Sequence, residues 1–146
     1  MLIVDIVCSL QVDITGQNNL CQERNAVIEN TEVSQIALSS DGAWLATAEF
    51  NSTGEVSFQV TLKFWRFDSS AKTYSLSMSM EMPHEGAINA LQFRPTPALV
   101  DTSTLEGLMA VTTGKDNKLR VWELVERQVI SSKYSPAPYF IARESS

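Results

Sequence analysis

The sequence predicts an all-β chain in which one strand unit occurs twice in succession. Three observations carry this reading. Apolar and polar residues alternate with the two-residue period of a strand at several places, turn residues separate the alternating runs, and the runs recur in the same order. No stretch of useful length has helical periodicity.

The first copy opens at residues 33–38, where Val33, Ile36 and Leu38 mark a strand that stops at the turn Ser40-Asp41-Gly42. Residues 44–48 give the second strand. A long polar connection, residues 49–60, leads to the third, carried by Leu62-Lys63-Phe64-Trp65-Arg66-Phe67. The fourth is expected at residues 74–80, where Tyr74, Leu76, Met78 and Met80 alternate with serines; that spacing reads as one buried strand face rather than a ligand-binding methionine stripe.

The second copy repeats the order. Residues 88–93 give a first strand 55 positions after its counterpart. A second strand falls at residues 108–113, after an insert at 96–107. Leu119-Arg120-Val121-Trp122-Glu123-Leu124 matches the earlier third strand class by class at an offset of 57.

Composition narrows the functions such a chain can have. The 146 residues carry a net charge of −6, and their 11 lysines and arginines are scattered. Holding nucleic acid through its phosphates needs a basic cluster, so autonomous nucleic-acid binding is not expected, and an acidic surface suits protein partners better. Cys8 and Cys21 stand in no metal-ligand or redox spacing, as expected of free thiols in a reducing compartment. Residues 1–10 are apolar but lack the basic start and cleavage site of a signal peptide, and no apolar run reaches membrane-spanning length. The expectation is an intracellular protein with no membrane association, metal, cofactor or small-molecule substrate. Asn51-Ser52-Thr53 is a glycosylation sequon in form only under that expectation.

The second copy also carries a motif. His84 lies four residues before Ile88, Thr112 lies four before Asp116, and Asp116 sits in the turn Gly114-Lys115-Asp116-Asn117, six before Trp122. This stretch resembles a WD40 repeat, with Pro83-His84 in the place of the family's Gly-His and Trp122-Glu123 in the place of its Trp-Asp. The 37 residues between His84 and Trp122 suit that family.

The resemblance implies a fragment of a WD40 β-propeller: about two four-stranded antiparallel blades with strands of a preceding one. Residues 1–28 would end that preceding blade, 29–82 form a degenerate blade, 83–135 form a complete one, and 136–146 make a disordered tail. It also implies a structural tetrad of His84, Thr112, Asp116 and Trp122. In the first copy Thr47 and Trp65 remain, but Glu29 and Gln59 stand where His and Asp would be, so that blade is expected to rely on packing. A hydrolase built on His84, Asp116 and a Thr or Ser is the rival reading. It lacks a nucleophile elbow and an oxyanion loop.

Within the family, the Leu-Lys-Phe-Trp strand, the Pro83-His84-Glu85 entry and the Phe93-Arg94-Pro95 exit are similar to WD proteins of the small-subunit processome. That similarity implies a nucleolar, non-catalytic scaffold. It would support pre-ribosomal RNA transcription and early 18S processing, with other processome WD proteins as partners and pre-ribosomal RNA met through the assembly. WD substrate adaptors of ubiquitin ligases are the alternative. They often carry an Arg three residues after the third-strand Trp, where this chain has Asp68 and Val125. A trafficking or cytoskeletal WD scaffold is a third reading, since fold alone does not choose among partners.

Overall fold

A computed structural model describes residues 10–14, 31–52, 58–95, 108–125 and 139–144 of the chain. Eight strands are found among them: β1 (Thr31–Leu38), β2 (Trp44–Ser52), β3 (Phe58–Asp68), β4 (Thr73–Glu81), β5 (Ile88–Phe93), β6 (Met109–Gly114), β7 (Leu119–Val125) and β8 (Tyr139–Glu144). They form two four-stranded antiparallel meanders, β1-β2-β3-β4 and β5-β6-β7-β8. Neighbours in sequence are neighbours in space within each sheet.

The two sheets are copies in register as well as in order. Ile36 and Lys63 both lie opposite Thr47, and Leu91 and Arg120 both lie opposite Thr112. Each first strand carries a bulge at the same place, between Val33 and Gln35 in β1 and between Ile88 and Ala90 in β5. The β1–β2 turn is held by its own side chains. The Ser39 hydroxyl donates to Asp41 at 2.6 Å, Asp41 accepts the Ala43 amide at 3.0 Å, and Gly42 takes the left-handed φ of 71°.

The sheets stack face to face around one core. Trp44, Ala46, Ala48, Val60, Leu62 and Phe64 from the first meet Ile88, Leu91, Phe93, Ala110, Trp122 and Leu124 from the second. Phe64 sits between the rings of Phe93 and Trp122, each centroid 6.4 Å away. Strand alternation sends Leu45, Thr47, Glu49, Lys63 and Trp65 to the opposite face of the first sheet, where they are buried separately from this core.

Three expectations from sequence change. The connection at 49–60 is mostly strand: Phe50 pairs with Val60, Asn51 with Gln59 and Ser52 with Phe58, so the hairpin runs past the Glu49–Thr61 pair. Its polar residues mark a strand end projecting beyond the core, with Phe50 stacked on Phe58 at 6.3 Å. The alternation at 74–80 does not form one face. A bulge opposite Phe64 and Trp65 puts Leu76 beside Trp65 and Met78 beside Phe64, on opposite sides of the sheet. Tyr74 accordingly packs edge-on against Phe67 at 5.2 Å and donates to the Gly42 carbonyl at 2.6 Å.

The tail expected to be disordered over 136–146 contains β8, which pairs Tyr139 with Val125 through to Glu144 with Arg120 and completes the second meander. β7 offers an unpaired edge there, and Tyr139-Phe140-Ile141 has the β-forming residues to take it. The strands expected within residues 1–28, and Cys8 and Cys21, lie outside the described residues apart from 10–14, which form no strand. Glu29 and the insert at 96–107 also lie outside them.

Candidate functional site

β6, the β6–β7 turn and the segment entering β5 bring His84, Thr112, Asp116 and Trp122 together. Strand alternation aims Thr112 and Trp122 at the first sheet, two pairs apart along the ladder, and the indole Nε1–H donates to Thr112 Oγ1 at 2.9 Å. The His84 ring lies across them, with Nε2 2.8 Å from Thr112 Oγ1 and Nδ1 3.0 Å from Asp116 Oδ1. One chain of donors satisfies every member: Trp122 N–H to the Thr112 oxygen, Thr112 O–H to His84 Nε2, and His84 Nδ1–H to the Asp116 carboxylate. His84 and Thr112 are buried, so Thr112 Oγ1 is enclosed between an imidazole and an indole rather than facing a cleft.

Asp116 does more than hold the histidine. It also accepts the backbone amides of Glu85 and Lys118, each at 3.1 Å, which ties the entry to β5 onto the β6–β7 turn. Asn117 takes a left-handed φ of 59° in that turn. Burial alone raises the carboxyl pKa of Asp116. The amide of Glu85, the His84 ring and the amide of Lys118 outweigh it and bring the pKa down to about 2.

The consequence is an acid limb. A carboxylate depressed from its ordinary value of about 3.9 contributes stability that is fully present above that value and is lost as pH falls through about 2. Solvent screening at the turn limits the contribution to about 1 kcal/mol. Urea midpoints measured between pH 5 and pH 2 should therefore fall in the natural chain, and Asp116→Asn should flatten that part of the profile.

Gly114 makes room for the histidine. A Cβ built on it would lie 2.5 Å from His84 Nδ1 and 2.6 Å from Asp116 Oδ1, closer than real atoms approach. Gly114→Ala should cost about 3 kcal/mol, from overpacking and a displaced ring together. A thermal melt that leaves the midpoint unchanged would count against this geometry.

The first sheet uses the same positions differently. Trp65 Nε1–H donates to Thr47 Oγ1 at 3.0 Å, repeating the indole–hydroxyl bond. Gly114 pairs with Ile88, and the residue in register with it is Glu49, which pairs with Val33. A side chain at that position enters the space that the imidazole fills in the second sheet, so a histidine and Glu49 exclude one another. Glu49 instead meets Lys63 Nζ at 2.5 Å, and both are buried. The ammonium also donates to the Ile14 carbonyl at 2.6 Å and lies 5.5 Å from the Trp65 ring centroid. The expectation that this sheet relies on packing alone is thus corrected: a buried ion pair stands where the other has a His–Asp arm.

The family model described as the second β-propeller of WD repeat-containing protein 75 matches residues 9–138. The chain belongs to this WD-repeat propeller family. WD repeat-containing protein 75 of Xenopus laevis is 32% identical over 115 residues, 77% of this chain and 13% of that protein. The human protein of that name is 29% identical over 102 residues, 70% of this chain and 12% of its own length. The Danio rerio protein of that name is 27% identical over 111 residues, covering 76% and 12% respectively. The chain thus spans about an eighth of the length of these relatives.

Each meander is one blade of such a propeller. WD-repeat propellers are typically non-catalytic and generally mediate protein–protein interactions. Sequence reasoning placed Thr47 and Trp65 in the first blade but missed Glu49 and Lys63. The available signal was the Glu–Lys pair at positions where the second blade has Gly114 and Arg120. It could be read only with the hairpin register known.

Proposed function

We propose that this chain serves as part of a non-catalytic scaffold in ribosome biogenesis. In this reading it acts in the nucleolus, in the small-subunit processome, supporting pre-ribosomal RNA transcription and early 18S processing. The observation that carries the reading is the match to the WD repeat-containing protein 75 propeller over nearly all of the chain. The geometry adds to it. The one His–Asp–Thr constellation among the described residues is buried and internally bonded, so its role is to fasten a blade rather than to meet substrate. The net charge of −6 favours protein partners, other WD proteins of the assembly, with RNA reached through them.

The test is affinity purification of the tagged protein carrying this stretch from nuclear extract, with bound proteins and RNA identified together. Recovery of processome WD proteins with pre-ribosomal RNA is expected. Recovery of ubiquitin-ligase subunits without that RNA would move the function to a substrate adaptor and leave the fold intact.

A further inference from the structure

We propose that Lys63 docks the segment at residues 10–14 onto the first blade, and that Lys63, Glu49, Trp65 and Thr47 form a built site for that stretch of backbone. Both partners of the decisive contact lie within residues 14–63, so nothing before or after this stretch is needed to make it.

A buried ammonium needs acceptors for its three donors. Lys63 is fully buried, and Glu49, itself buried, takes one of them. A second goes to the Ile14 carbonyl at 2.6 Å, 49 positions back along the chain and outside every strand of the blade. The ammonium also lies 5.5 Å from the centroid of the Trp65 ring, a cation–π contact, and the Thr47 hydroxyl holds that ring in place through the indole N–H. The segment has the pattern of a chain laid on a surface. Val12 and Ile14 are half-buried, whereas Gln11 and Asp13 between them are exposed.

Stability of the blade does not account for the ion pair. Two apolar side chains of similar volume fill such a place as well or better, because they carry no desolvation cost. What they cannot do is hold a carbonyl. The second blade shows the same task done with the opposite charge. There the Asp116 carboxylate accepts the backbone amide of Glu85 at 3.1 Å and so ties down the chain that enters β5. In the first blade an ammonium takes a backbone carbonyl instead, so charge and partner atom are both inverted. Gly114 and Arg120 stand in the second blade at the positions of Glu49 and Lys63, and only the first blade carries the pair. Every residue offers a carbonyl, so the site reads the path of the chain rather than the side chain at position 14.

The test is thermolysin cleavage of the protein carrying this stretch, read by mass spectrometry at the bonds before Val12 and Ile14. Hydrogen exchange in β2 and β3 checks that the blade is folded. In Glu49→Leu/Lys63→Met the blade keeps an apolar pair and Ile14 loses its donor. Cleavage within residues 10–14 should then quicken roughly fivefold or more, the factor one lost hydrogen bond implies, with β2 and β3 still protected. Glu49→Gln keeps the ammonium and its bond to Ile14, and should leave that cleavage at the natural rate. It is the smaller change, and it reads the contact even where the double variant does not fold. Unchanged cleavage in a folded double variant overturns the proposal, as does cleavage that rises only in step with exchange in β2 and β3. So does release of the segment in a folded Glu49→Gln variant, since the carboxylate rather than the ammonium would then be what holds it.

Discussion

Replacing Lys63 by Met is expected to destabilise the chain by about 3–5 kcal/mol, while the double substitution Glu49→Leu/Lys63→Met should recover most of that loss. The reason is asymmetry. Lys63 and Glu49 are both buried and in contact, so removing the ammonium leaves a carboxylate in an apolar interior with its charge uncompensated. Replacing both by apolar residues of similar volume removes the desolvation cost along with the attraction. The Ile14 carbonyl, which accepts from the same ammonium, loses its donor in either variant, a residual cost of about 1 kcal/mol. Urea unfolding at one fixed protein concentration, run as a double-mutant cycle, gives the coupling between the two residues. A single variant within about 0.5 kcal/mol of the natural chain would mean that the pair is solvated and does not fasten this blade.

The two blades were unequally legible in the sequence, for a physical reason. The set His84, Thr112, Asp116 and Trp122 was legible because its spacing resembles that of a WD40 repeat, and the chemistry agrees with the resemblance: a buried carboxylate and a buried indole N–H both demand partners. The ion pair of Glu49 and Lys63 is diagonal across a hairpin, and its recognition depends on the length of the intervening turn. Residues 49–60 look like a polar loop because the strand ends there project past the packed core, where alternation no longer has a buried side to report. The apparent single face of Tyr74, Leu76, Met78 and Met80 failed for a related cause. One bulge shifts the parity of everything beyond it, and a serine beside a methionine gives no sign of where the bulge falls. The final strand was missed because Tyr139, Phe140 and Ile141 follow a stretch rich in Ser and Pro, and the edge that recruits them belongs to β7.

Phe64→Ala should cost about 3–5 kcal/mol and should weaken both blades together rather than the first alone. Phe64 is fully buried, and its ring contacts both Phe93 and Trp122 of the second blade. Its neighbours are Phe93 of β5 and the tryptophan whose indole closes the hydrogen-bonded chain to Thr112 and His84. A cavity there therefore loosens the packing that keeps Trp122 N–H aimed at its acceptor. Hydrogen exchange reads this directly: amides of β6 and β7 should lose protection in parallel with those of β2 and β3. If only β2 and β3 lose protection, the blades are independent units and the shared core contributes little to either. Phe64→Val sharpens the distinction, since Val121, the residue at the matching position of the second blade, is only half-buried where Phe64 is fully buried. That variant should fall between Phe and Ala, because the volume the position needs is set by the blade stacked on it.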